Sequence, residues 1–304
     1  MRRLALAVSC ALLLAPALAR AATSVAFDRA GGGARSSALG GHSVVLPDDD
    51  HALGASPGRL VFAARSASAQ YDRVDPDLEL WRGRIGAVMP LGHDLTEPLQ
   101  LSHISRTAVG LALDVTSLTL LEGSGYREAA FSLGGGIAPM NILGLGLVGR
   151  YEHASSDVTE IAASAWGIDV GAAVELTDHL AAAFAIRNAM GRASFDGGDD
   201  EDRPAELTLG LAAGHHKWWQ AEVDWVFQND VTSAVSAGVE VHVVPNMVDL
   251  RAGIASEKDP VSSRVVPSAG AGFEFANVHL DYAFRADPDG SLDAQHQLAL
   301  TARF

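Results

Sequence analysis

Histidines and carboxylates are the side chains with chemical reach in this sequence, and their spacing limits what they can do. His215 and His216 are adjacent, with His42, His51 and His242 elsewhere. Neighbouring residues on a strand point to opposite faces, so a strand would keep His215 and His216 from sharing one metal ion. The run Asp48-Asp49-Asp50 offers oxygens to a cation but lacks the ligand spacing, the glycine and the terminal Glu of a calcium loop. It reads as an acidic turn facing solvent or a lumen. The run Gly197-Gly198-Asp199-Asp200-Glu201-Asp202 reads as a solvated loop. No nucleophile elbow, phosphate loop or paired-Cys motif is present. The sequence therefore points to no catalytic, metal or cofactor set, and to a protein that is not an enzyme.

The other charges recur at every second position, and this period identifies the elements that carry them. Val278, Leu280, Tyr282 and Phe284 alternate with His279, Asp281, Ala283 and Arg285. After a Pro-Gly turn, His296, Leu298, Leu300, Ala302 and Phe304 alternate with Gln297, Ala299, Thr301 and Arg303. Both stretches are strands with one apolar and one polar face. The scheme repeats around Asp169 and Glu175, around Glu222 and Asp224, around Glu240 and His242, and around Asp249 and Arg251. Trp81, Gly83, Ile85 and Ala87 oppose Arg82, Arg84 and Gly86; a further strand is expected within residues 105–118, and a first one across residues 59–65. Residues 129–149 are uncharged and long enough to span a bilayer as a helix. Gly134, Gly135, Gly136, Gly144, Gly146 and Pro139 argue instead for two strands joined by a turn at Pro139-Met140-Asn141.

Two folds accommodate such a series. A soluble sandwich would bury the apolar faces against each other. A transmembrane barrel would turn them to lipid and pair every backbone group with a neighbour. The strands run in one uninterrupted series without a linker, which favours the barrel, and an even number of about fourteen lies within the known range. The polar faces would then line a lumen with Arg150, Asp169, Arg187, Glu222, Asp224, Glu240, Arg251, Glu274, Asp281 and Arg285. A basic side chain on the lipid face costs about 2–4 kcal/mol at the bilayer midplane, which accounts for apolar faces nearly free of charge.

The amino terminus supplies an address. Arg2 and Arg3 precede an apolar run, and small residues follow at Ala19 and Ala21, so residues 1–21 are expected to be a secretory signal peptide. Cys10, the single cysteine, lies in the middle of that run and not at its end, where a lipidated cysteine would sit. The exported chain then forms no disulfides. Loss of Arg2, Arg3 and Arg20 moves the net charge from -15 to -18, a poor balance for binding nucleic acid. The ending on Phe304 looks like the terminal signal that the barrel assembly machinery reads in outer-membrane barrels, although Ala302 stands where an aromatic is more usual.

Residues 34–60 do not alternate. They combine Gly40-Gly41, a short apolar run, the acidic cluster and a Pro57-Gly58 turn. Through Ala34-Arg35, Gly40-Gly41, Asp48-Asp49, Ala52, Pro57 and Leu60 this segment resembles the amino-terminal part of the PorV/PorQ-type outer-membrane proteins, relatives of the FadL-like long-chain fatty-acid transporter barrels. Ser56, Gly58 and Arg59 depart from the usual Asn, Ala and Gly of that family. The resemblance implies an all-β transmembrane antiparallel barrel of about fourteen strands over residues 61–304, with residues 22–60 folded into the lumen as a plug. Gly40, Gly41, Asp48, Asp49, Pro57 and Gly58 are its expected plug residues, and the acidic ones are expected to meet inward arginines such as Arg150, Arg187, Arg251 or Arg285. It also implies a channel for hydrophobic compounds or a PorV-like component that handles secreted protein cargo; a structural or adhesin-like surface barrel is the alternative. The expected partners are outer-membrane lipid, the assembly machinery, and hydrophobic small molecules or secreted proteins.

Overall fold

A computed structural model describes residues 32–75, 79–91, 106–119, 125–157, 161–198, 200–215, 218–228, 232–258, 263–286 and 294–304. The expected signal peptide and His216 lie outside the described residues. Within them the strands are β1 (Ser66–Asp75), β2 (Leu80–Leu91), β3 (Arg106–Thr119), β4 (Gly125–Met140), β5 (Leu143–Ser156), β6 (Ile161–Thr177) and β7 (Leu180–Phe195). A short β8 (Glu201–Asp202) is followed by β9 (Glu206–His215), β10 (Trp219–Gln228), β11 (Thr232–Val244), β12 (Val248–Lys258), β13 (Ser263–Phe275), β14 (Val278–Arg285) and β15 (Gln295–Arg303).

Sequence neighbours pair antiparallel, β7 pairs with β9, and β1 pairs with β15 from Ser66↔Arg303 to Arg73↔His296. The sheet therefore closes on itself. Leaving aside the two-residue β8, the wall is a closed antiparallel barrel of fourteen strands. Closure pairs the backbone of each wall strand with a neighbour on both sides over most of its length, as a structure in lipid requires.

The side chains sort by face as the alternation predicts. Ile85, Leu133, Leu147, Met190 and Leu250 point outward and are exposed, whereas Glu222, Asp224 and Glu240 point inward and are 1 % exposed. A sandwich would bury the first set and expose the second. Exposed aromatic residues occur toward both ends of the wall. Tyr71, Trp81, Tyr151, Trp166 and Trp225 are exposed toward the upper rim, and Trp218, Trp219, Phe275 and Phe304 near the lower rim, where the chain ends. Tyr71 stacks on Trp81 at 6.3 Å between ring centroids.

Turns at the lower rim are tight, as at residues 141–142, 178–179 and 276–277. β2 ends and β3 begins at the same rim, with residues 92–105 between them in sequence, so short and long connections are not fully segregated.

Two element boundaries differ from expectation. Residues 59–65 are not a strand: Pro57–Phe62 is a 3-10 helix inside the barrel, and the first strand is Ser66–Asp75. The apolar residues of Pro57–Phe62 serve the lumen, where neither face meets lipid, so their spacing imitates a strand without making one. Pro139 lies within β4, and the turn falls at Asn141-Ile142. The pairing Ile137↔Leu145 shifts to Met140↔Leu143 around it, so the residue without an N–H sits where the ladder is already interrupted.

Inside the wall lie α1 (Ala34–Ala38), α2 (Ala52–Ala55) and the 3-10 helix. Gly40 and Gly41 follow α1 with φ of +108° and +91°, a conformation open to glycine, and reverse the chain. Arg285 packs beside Gly41 and Ser236 beside Gly40, so the reversal sits against the wall.

Candidate functional site

The described part of the plug supplies much of the apolar core of the lumen. Leu53 and Leu60 are buried with Val88, Ala108, Ala112 and Val148 of the wall; Val44 and Val45 are buried with Ala173, Ala183, Ala185 and Ala212. Ala34 and Ala38 pack on Ala283 and Ala299. The wall contributes mostly alanine and the plug the larger residues. Burying one such Leu or Val is worth about 1.5–3 kcal/mol. Wall glycines let the backbones approach still closer. A Cβ on Gly238 would stand 2.5 Å from the carbonyl oxygen of Leu39, and one on Gly253, Gly144 or Gly146 would collide with the backbones of Gly40, Gly58 and Pro57. A Cβ on Gly58 would lie 2.6 Å from Cα of Ala172. The segment is thus fitted to the wall on opposite sides.

Charges fasten it. Glu222 and Asp224 on β10 receive the turning plug backbone: Glu222 accepts from Val44 N–H at 2.9 Å and Val45 N–H at 2.6 Å, and Ser43 Oγ donates to it at 2.5 Å. Asp224 accepts from Val44 N–H at 3.3 Å and from Ser236 Oγ at 3.4 Å. Arg35 donates to Glu240 through Nε at 2.9 Å and Nη2 at 2.8 Å, and to Asp48 through Nη1 at 3.2 Å. Glu240 also accepts from Arg251, which pairs with Asp281. Asp48 reaches Arg303 at 2.9 Å.

The acidic turn does not meet the arginines expected for it. Asp48 uses Arg35 and Arg303, Asp49 uses His51, and Asp50 uses Arg84 at 3.4 Å. The expected arginines are engaged elsewhere. Arg251 serves Glu240 and Asp281, Arg285 serves Glu257, and Arg150 serves Glu152 and Asp169. Arg187 lines a small chamber of about 30 Å³ with Arg84 and Arg150. Glu274 pairs with His279 at 3.1 Å.

Ligand atoms of Asp49, Asp50 and His51 lie within 4.8 Å of one another. Both ring nitrogens of His51 are nonetheless engaged, Nδ1 with Asp49 at 2.9 Å and Nε2 with Gln70 of β1 at 3.0 Å. Burial disfavours the imidazolium, but Asp49 and Asp50 outweigh it, and the His51 pKa is pushed up to about 9. The same partnership holds Asp49 well below the usual carboxylate range in spite of its burial. The trio is an internal ion cluster in which the two carboxylates favour the charged imidazole. His242 is likewise committed, to Asp249 at 2.6 Å.

A second network fills the lumen toward the upper rim, and much of it was not singled out from sequence. Arg84 binds both oxygens of Asp114 at 2.9 Å. Arg150 contacts Glu152 at 2.8 Å, Asp169 at 3.1 Å and Asn188 at 2.8 Å. Arg203, from the connection between β7 and β9, enters the barrel and meets Glu152 at 2.6 Å. Arg84 was legible as the polar face of β2. Arg203 left one signal, a basic residue closing an acidic run.

A cavity of about 140 Å³ remains near the lower rim between plug and wall. Val45 and Leu46 line it from the plug, Leu180, Ala181, Ala212 and Ala213 from the wall, and Arg35, Asp48, Arg59 and Glu175 stand around it. Its lining is mixed, since His179 and Gln220 join these charged residues and the apolar side chains.

No protein-family model and no curated protein matches this sequence. Solved structures do match the fold. A Pseudomonas aeruginosa FadL homologue superposes with a TM-score of 0.65 at 13% identity, over 92% of this chain and 100% of its own. The CymD monoaromatic hydrocarbon channel gives 0.65 at 13% identity, over 92% and 99% of the two chains. The Pseudomonas putida toluene transporter TodX gives 0.58 at 16% identity, over 90% and 98%. The fourteen-strand barrel is therefore a fold shared with these three proteins.

Proposed function

We propose that the exported chain is an outer-membrane channel protein for small hydrophobic compounds, with residues 1–21 as its signal peptide, Phe304 as its assembly signal and residues 22–60 as its plug. The observation that carries this reading is the cavity of about 140 Å³ between plug and wall, with an apolar side formed by Val45, Leu46, Leu180, Ala181, Ala212 and Ala213. A space of that order accommodates one aromatic ring, since an apolar cavity of roughly 150 Å³ takes up benzene. The fold shared with channels for toluene and other monoaromatic hydrocarbons supports the same reading. Saturable binding of toluene to the purified, detergent-solubilised protein tests it. Binding should disappear in Ala212→Leu, which fills the cavity, while the barrel keeps its heat-modifiable mobility on gels. No saturable binding by the intact protein sinks the hydrocarbon reading.

A second reading is favoured by the tight seating of the plug. A barrel whose lumen is filled by a wedged, ion-paired segment suits a PorV-like component that receives secreted protein cargo at its surface. Co-purification of cargo protein from the native membrane, without toluene binding, would support it. Neither result would leave the structural or adhesin-like surface barrel.

A further inference from the structure

The wall is incomplete between β7 and β9 toward the upper rim. β9 follows β7 only as far as Arg187↔Glu206, although β7 continues to Phe195. Above that point its partner on this side is β8, through Arg192↔Asp202 and Ala193↔Glu201, followed by Arg203 N–H on the Gly191 carbonyl at 3.1 Å. β7 also bulges there: Ile168↔Met190 is followed by Val170↔Ile186, and Asn188 stands at φ +49°. Asn188 binds Asp169 through its N–H at 2.7 Å and the Pro204 carbonyl through Nδ2 at 3.3 Å.

We propose that residues 200–204 form an openable lid over the charged chamber beneath the upper rim, latched by Arg203. The chamber is lined by Arg84, Asp114, Glu128, Arg150, Glu152 and Arg187. The attachment is uneven. Glu201 and Asp202 are exposed, and the Arg192–Asp200 pair is 53% and 47% exposed, so it holds little. Arg203 and Glu152 are 8% and 3% exposed, and the strap is also held inward by Arg203 N–H on the Gly191 carbonyl at 3.1 Å and by the Asn188–Pro204 bond. Asp196, Asp200, Glu201 and Asp202 lie exposed along the same short connection, and their mutual repulsion favours lifting. The inference concerns access to the chamber and is independent of what the barrel carries.

The sequence holds one cysteine, Cys10, so a single introduced thiol can report access. Ser132, on the inner face of β4, lines the chamber, and Ser132→Cys would be labelled slowly by a charged, membrane-impermeant thiol reagent in vesicles. Adding Arg203→Ala should raise that rate roughly tenfold, the effect of losing one charge-assisted contact. Ser236→Cys, buried on the opposite wall, should label at an unchanged rate. No acceleration at residue 132 overturns the lid, and so does equal acceleration at both, which would report a loosened barrel. A second variant joins register partners through Ala193→Cys and Glu201→Cys. With labelling at residue 132 read by peptide mass spectrometry, the oxidised form should react more slowly than the reduced form; equal rates overturn the proposal.

Discussion

Arg35 of the plug grips both carboxylate oxygens of Glu240 on β11, Nε to Oε2 at 2.9 Å and Nη2 to Oε1 at 2.8 Å. Glu240 is 1% exposed and shares its charge with Arg251 on β12. The plug thereby neutralises a carboxylate that the wall alone leaves only partly matched. Removal of Arg35 would leave this buried carboxylate to Arg251 alone.

Arg35→Ala should therefore loosen the plug by about 2–4 kcal/mol without unfolding the wall, because Arg251 still faces Glu240. Hydrogen exchange of residues 34–55 should accelerate while the exchange of β10 to β13 stays slow. Arg35→Lys, which keeps the charge but not the fork, should recover part of the protection.

The His51 cluster gives the plug a pH dependence of known sign. Its folded-state pKa is raised to about 9, above the ordinary histidine value of 6.5, so its contribution is fully present below about pH 6.5 and is lost as pH rises through about 9. Protection of the plug from exchange or proteolysis should fall over that window. His51→Gln should flatten the dependence; a profile unchanged by the substitution would show that another group titrates.

Wall glycines under the plug should tolerate no side chain. Gly238→Val or Gly253→Val would drive a Cβ into Leu39 or the Gly40 backbone and should displace the plug, costing a few kcal/mol by overpacking. Gly54→Ala is the control, since a Cβ there has nothing within 4 Å. It should be neutral or slightly stabilising in thermal unfolding.

The legible part of this molecule was the part that obeys a period. Strands such as Val278–Arg285 and Trp219–Gln228 announce both faces because apolar side chains lie on one side and charge on the other. Ser66–Asp75 escaped notice because its outward-facing Ala67 and Ala69 are small, and its inward-facing Ser66 and Ser68 contrast little with them. Residues 59–65 misled for the opposite reason, carrying apolar residues for a lumen core. The inward charges were legible as a class, but their pairing was not. Which arginine meets Asp48 depends on the height at which the plug stops and on the stagger of β15 against β1, neither of which leaves a local trace. Asn188 and Arg203 act at a bulge and a strap that exist only once β9 has stopped short of β7.

Single-channel conductance of a protein lacking residues 40–57 bears most directly on the plugged lumen. The deletion removes Val44, Val45 and Leu53 from the interior but leaves the ladders of all wall strands intact. The variant should insert into bilayers, shift on heating as a folded barrel does, and conduct several-fold better than the intact chain. A folded, inserted variant that conducts no better would contradict the plug and make residues 22–60 an arm for some other contact.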